Sequence, residues 1–336
     1  MRVFLTFLMF ACALPAAKTL DVYFIDVEGG QATLIVSPSG QSMLVDAGWP
    51  GLNGRDPDRI AAAAKMAGLK QIDYFVATHY HTDHVGGVPE VANRIPIRTF
   101  VDHGPSVESG KNPDALFAAY QEARVKAKHL LVKAGDTIPF KGVNVTVLTA
   151  AGDKISSPLK NTGAGQANGL CAATQLRGED KSENARSVGT LLTFGKFRMI
   201  NLGDLTWNKE YELVCPNNAV GTVDVYLTTH HGMNMSGPEA IVHALRPRVA
   251  VMNNGARKGG TPEAWKAIRS SPGLEDIWQL HFAVAGGKET NAADTFIANT
   301  DEACEGKWIK LSAQPDGTFT VTNSRNGHSK TYKPQS

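Results

Sequence analysis

Three apolar runs of seven or eight residues, set off by glycine- or serine-containing turns, follow the first seventeen residues: LDVYFIDV (20–27), QATLIVSP (31–38) and SMLVDAG (42–48). Runs this short between turn residues predict strands, and three in succession a β-meander. DPDRIAAAAKMAGL (56–69) has an Asp cap, a Pro in its first turn and a run of alanines, which predicts a helix. IDYFVATHY (72–80) reads as a buried strand, NPDALFAAYQEARVKAKH (112–129) as a second helix, and 129–150 as more short strands. Periodicity is then lost over 151–186, a Gly-, Ser- and Asn-rich stretch whose length marks it as a functional or disordered loop. Strands resume at SVGTLLTFG (187–195) and FRMINLGD (197–204). VDVYLTTHH, PEAIVHAL, RVAVMNN and TPEAWKAIRS then alternate strand and helix. The tail 307–333 reads as a β-hairpin with a Pro-Asp-Gly turn. Two β-rich blocks, each followed by helices, predict an α/β chain of two sheets with helices outside them, in one domain.

The N-terminus falls outside this pattern. Met1-Arg2, an apolar run and the small residues Pro15-Ala16-Ala17 predict a secretory signal peptide over 1–17, and hence export to the periplasm or the cell exterior. That run is short for a membrane span, and no transmembrane segment is expected in the mature chain. Residues 18–300 then form the main domain, with 301–336 as a β extension packed on it. Removing the leader leaves Cys171, Cys215 and Cys304, enough for one bridge. Tethering the long polar loop favours Cys171–Cys215, with the other pairings open. A net charge of +2 with acids and bases interspersed excludes an electrostatic footprint for stable duplex nucleic-acid binding, but not a small or oligomeric anionic substrate.

The chemistry concentrates in ATHYHTDHVGG (77–87). Imidazole and carboxylate suit a borderline divalent cation. Alternate residues at a strand end point the same way, so His79 and His81 can share one ion. Beyond the turn, Asp83 and His84 can face a second. Four polar side chains packed together without such a partner would be costly to bury.

This H-x-H-x-D-H motif, with Asp46 closing LVDAG, resembles the metallo-β-lactamase fold superfamily. The resemblance implies an αββα sandwich of two mixed sheets flanked by helices. It also implies that Asp204 in MINLGDL bridges two metals, that a histidine of LTTHHG closes the second site, and that Asp46 supports the cluster from behind. His230 is favoured as the ligand, with His231 left for catalysis or substrate contact. The superfamily's third histidine is missing: at its place stands ENARSVGTLLTFG, offering Asn184 and Ser187. That pattern is similar to the hydrolase domain of bacterial competence proteins and to secreted phosphodiesterase relatives. One site would then hold Asp83, His84, His230 and Asp204, and the other His79, His81 and Asp204. The chain departs from that branch at Glu28-Gly29 and at Thr261, and a DNA-uptake role is not carried over.

Two close ions lower the pKa of a shared water, so a metal-bound hydroxide makes hydrolysis the expected reaction, with one or two Zn²⁺ ions, or Mn²⁺, as cofactor. The branch resemblance implies a phosphodiester, and the candidate cations Lys258 and Arg186 near predicted strand ends agree; Asp83, His231 and Lys258 are the catalytic candidates. Asn253, His103 and His281 are candidate substrate contacts. A lactone, carboxylic-ester or β-lactam hydrolase on the same metals, and a non-catalytic metal protein, are the alternatives.

Overall fold

The apolar runs pair into two nine-stranded sheets in a computed structural model that describes residues 19–334. The leader assigned to 1–17 lies outside the described residues. In the first sheet the meander Leu20–Phe24, Thr33–Val36 and Ser42–Val45 is antiparallel. Ile72–Val76, Ile97–Asp102 and Lys128–Leu131 then add in parallel, because each is reached through a helix: Arg55–Met66, then Thr82–Val85 with Val88–Arg94, then Lys111–Arg124. In the second sheet Phe197–Asn201, Val225–Leu227, Val249–Met252, Asp276–His281 and Ile297–Asn299 run parallel. Gly189–Phe194 pairs antiparallel with Phe197–Asn201, and Asn144–Ala150 pairs antiparallel with Gly189–Phe194 in turn. Helices Trp207–Val214, Glu239–Leu245 and Pro262–Arg269 belong to this half.

Period-two alternation sorts the strand side chains into separate cores. Val22, Phe24, Ile35 and Met43 face the other sheet, where Val147, Leu192 and Trp278 meet them. Tyr23, Leu34 and Leu44 face outward onto Ile60, Val88, Val91 and Tyr120. Leu191, Ile200 and Tyr226 do the same onto Ile241, Leu245 and Ile268. Three apolar layers therefore separate four structural ones, the αββα sandwich.

The C-terminal segment is more than a hairpin. It forms three strands, Ile309–Ala313, Phe319–Asn323 and Ser329–Tyr332, and the first of these pairs with Leu20–Phe24. Leu311, Phe319, Val321 and Tyr332 enter the central core, which a solvent-facing ornament would not do. The loop 151–186 carries little regular structure but is well anchored. Cys171 is bridged to Cys215 across a separation of 44 residues. The Asn168 amide donates to the carbonyls of Val214 and Ala240, and the Arg177 guanidinium lies 3.7 Å from the centre of the Trp207 ring.

One buried acid in this half has a measurable consequence. Glu210 accepts a hydrogen bond from the Gly237 N–H through Oε2, while Oε1 is buried without a partner. Burial pushes its carboxyl up from 4.5 to about 7, with the Gly237 contact opposing. Between those values the folded chain keeps a proton that the unfolded chain has released, so this group's contribution to stability falls as pH rises through that window. Glu210→Gln is expected to exceed the wild type by roughly 1–3 kcal/mol at pH 8 in urea unfolding with chelator, and to match it near pH 4, below the window. An equal gain at both pH values would contradict the assignment.

Candidate metal centre

The predicted site residues lie at or just beyond the C-terminal ends of parallel strands in both sheets, the edge where open α/β sheets place their sites. Asp46 follows Ser42–Val45, His79 and His81 follow Ile72–Val76, and Asp83 and His84 sit in the short helix Thr82–Val85. From the second sheet, Asp204 follows Phe197–Asn201, His231 follows Val225–Leu227, and Asn253 follows Val249–Met252. Gly86 and Gly87 read in the sequence as a tight turn, yet neither has a positive φ. Space requires them: a Cβ on Gly87 would stand 2.2 Å from the Ala47 carbonyl oxygen, and one on Gly86 2.4 Å from Pro50.

Four ligand atoms converge. His84 Nε2 is 3.2 Å from Asp83 Oδ2 and 3.2 Å from Asp204 Oδ2. His231 Nε2 is 3.2 Å from Asp83 Oδ2 and 3.4 Å from Asp204 Oδ2. A tetrahedral shell with bonds of about 2.0–2.1 Å has edges of roughly 3.3–3.4 Å, so the spacing suits a zinc-sized ion. All four residues are buried, yet His84 Nε2, His231 Nε2 and Asp204 Oδ1 have no hydrogen-bond partner. Buried polar atoms that converge without pairing fit a group that holds a cation.

The electrostatics agree. Burial opposes charge on Asp83 and Asp204, but the surrounding imidazoles more than offset it and hold both carboxyls well below their usual range. Burial also lowers His84, and Asp204, Asp83 and Asp46 outweigh it, so a proton is retained well above the usual histidine range. A divalent ion at Nε2 would take that proton's place. Burial, with His84 adding to it, keeps His79 well below its ordinary value and therefore neutral.

Supporting contacts set the orientations. Asp46 Oδ2 accepts from His84 Nδ1 at 2.7 Å and from the Thr78 hydroxyl at 2.7 Å, while Oδ1 accepts from the Thr78 N–H at 2.8 Å. This leaves His84 Nε2 aimed at the acids. Asn253 Nδ2 lies 3.2 Å from His231 Nδ1 and 3.3 Å from Gln31 Oε1, while Asn253 Oδ1 and Gln31 Nε2 are buried without partners. Turning both amides over lets Asn253 Oδ1 accept from His231 Nδ1–H and from Gln31, and frees His231 Nε2 as a ligand. Ser187 Oγ accepts from the Asp204 N–H at 3.3 Å.

Several placements differ from expectation. His231, not His230, joins Asp83, His84 and Asp204. Both histidines adopt left-handed backbone (φ 57° and 54°), a local twist that residue order does not reveal. His230 reaches Asp204 Oδ2 at 3.3 Å and turns Nδ1 to Ser236. His79 Nε2 and His81 Nδ1 are 3.1 Å apart, but neither residue belongs to the four-membered group. His103 bonds Glu183, which also accepts from the N–H groups of Tyr80 and Val107. His281 is likewise engaged, with Asp26, beside the free thiol of Cys304. That second group of ligand types is already crossed by the Arg59 guanidinium, which binds Asp26 and Glu28. Asn184 stands on the turn Glu183–Arg186 with Oδ1 buried and unpartnered. Lys258 donates to Asp83 Oδ2. The sequence reading missed Thr78 and Glu183. Thr78 adjoins the histidines and was there to find, whereas Glu183 lies in the aperiodic loop. A cavity of about 920 Å³ opens at the opposite edge, among Lys160, Arg198, Asp224 and Arg248, away from these residues.

The family model of the metallo-β-lactamase superfamily matches residues 25–160, the stretch holding Asp46 and the His79–His84 cluster. A protein named a metal-dependent hydrolase in Cupriavidus necator is 26% identical over 263 residues, 75% of this chain and 80% of its own. ComE operon protein 3 of Bacillus subtilis is 23% identical over 250 residues, 70% of this chain and 28% of its own. Among solved structures, the metallo-β-lactamase fold protein YhfI of Bacillus subtilis covers 77% of this chain and 96% of its own, at 12% identity and a TM-score of 0.46.

Proposed function

We propose that the chain is a metal-dependent hydrolase of the metallo-β-lactamase superfamily, an exported phosphodiesterase that uses zinc or manganese. The observation that carries the metal reading is the 3.2–3.4 Å spacing of both histidine nitrogens from Asp83 and Asp204 Oδ2, with His84 Nε2 and His231 Nε2 buried and unpartnered. Two features favour an anionic phosphodiester. The half-exposed ammonium of Lys258 stands at the edge of the group, and the chain is similar to a competence protein. The Cys171–Cys215 bridge supports an oxidising destination, periplasmic or extracellular. Among the described residues no helix is long and apolar enough to cross a membrane.

A divalent ion held here supplies Lewis acidity and an ionised water near neutral pH. The chain does the rest. Asp46 and Asn253 fix the rings of His84 and His231 through their Nδ1 atoms. Asp83 uses Oδ2 toward both histidines, which leaves Oδ1 to accept a hydrogen bond from the attacking water. Lys258 offers its ammonium to a non-bridging phosphate oxygen. Residues 18–336 loaded with Zn²⁺ or Mn²⁺ are expected to hydrolyse a chromogenic phosphodiester at least tenfold faster, in kcat/KM, than a lactone. The reverse order would move the protein to the carboxylic-ester reading.

A further inference from the structure

Lys258 touches the one oxygen that an ion at this centre would also need. Its ammonium donates to Asp83 Oδ2, the atom 3.2 Å from both His84 Nε2 and His231 Nε2. An ion held by those three atoms and the ammonium would compete for one position. The base of the lysine is fixed by the backbone, while its ammonium is partly exposed and pairs with Asp83 Oδ2. Lys258 O accepts from the Gly255 N–H at 2.8 Å, and the Gly260 N–H donates to the His231 carbonyl at 3.0 Å. A Cβ on Gly29 would stand 2.8 Å from Lys258 Cβ. The side chain is 30% exposed, against 10% for Asp83, and Nζ lies 5.0 Å from the centre of the Trp49 ring. At that distance the ring already attracts the ammonium, and it can hold it when the Asp83 oxygen is taken. Arg59 in the Asp26–His281 group differs, because it holds two carboxylates at once.

We propose that Lys258 is a metal-responsive cation. Binding of a divalent ion to Asp83 displaces its ammonium toward Trp49, where it meets the anionic group of the substrate. Metal loading and anion recognition are thereby coupled through one side chain. The anion half of this inference rests on the phosphodiester reading; the metal half does not.

The test compares full-length wild type with Lys258→Met, which keeps most of the stem and removes the charge. Zn²⁺ affinity is measured by competition with a chromophoric chelator, alongside tryptophan emission during the same titration. Lys258→Met is expected to bind Zn²⁺ at least tenfold more tightly. The metal-induced change in emission seen in the wild type should be absent from Lys258→Met and from Trp49→Phe. Tighter binding with an unaltered emission change would mean through-space repulsion without displacement, and would overturn the proposal. So would an affinity within twofold of wild type. With a phosphodiester, Lys258→Met should raise KM at least fivefold; an unchanged KM would overturn the anion half. A wild type that turns over no phosphodiester would defeat the substrate reading, while the affinity and emission results still decide the metal half.

Discussion

Asp204→Asn is expected to lose bound metal and to lower kcat/KM for the preferred substrate about a thousandfold or more, equivalent to roughly 4 kcal/mol of transition-state stabilisation. Asp204 Oδ2 stands within 3.4 Å of His84, His230 and His231, so no other carboxylate meets as many imidazoles of the site. Asparagine keeps the volume, and the backbone is held independently by the Ser187 hydroxyl. The fold should therefore survive, as circular dichroism would report. Elemental analysis after dialysis and steady-state kinetics make the measurement. Wild-type metal content with turnover within a few-fold of normal would remove Asp204 from the centre and the present reading with it.

A second large effect is expected at Asp46, which is fully buried and touches no ion position itself. Asp46→Ala strips partners from the Thr78 N–H, the Thr78 hydroxyl and His84 Nδ1 together. Removing one member of a buried, hydrogen-bonded charge pair costs about 3–5 kcal/mol. Loss of a group that orients a ligand lowers metal affinity on the order of 10–100-fold. Asp46→Asn separates the two contributions. Residue 46 has a φ of 60°, a left-handed conformation that asparagine tolerates and alanine resists. Its destabilisation in chelator should be less than half that of alanine, while its metal affinity still drops. Equal destabilisation by both substitutions would place the cost in lost charge alone.

Much of this was legible from order along the chain. Strand ends are set by apolar runs, and a dense cluster such as His79 to His84 needs no tertiary knowledge to be noticed. Asp204 was legible through the superfamily resemblance, which singles out the aspartate closing MINLGD. What stayed hidden depends on backbone twist or on partners far apart in sequence. Two consecutive left-handed residues decide between His230 and His231. His103 and His281 sit near the right strand ends, but Glu183 and Asp26 occupy them from 80 and 255 residues away. The tail alternates as a hairpin should, yet a third strand and its docking on Leu20–Phe24 are long-range facts.

That docking has a bearing on how the centre acquires its ion. The sheet bearing Asp83 and His84 contains both the first and the last strands of the fold, and the other two ligands come from the opposite sheet. The first of the closing strands, Ile309–Ala313, pairs with Leu20–Phe24 and packs into the core between the sheets, so the two pairs of ligands meet only when the sheets lie face to face. Capture of an ion by all four would therefore follow that packing. Protein sites of this donor type select among divalent metals as much by supply as by affinity. The metal carried by the purified protein is then expected to reflect supply where the two sheets come together: the same sequence matured in two compartments should carry two different metal inventories.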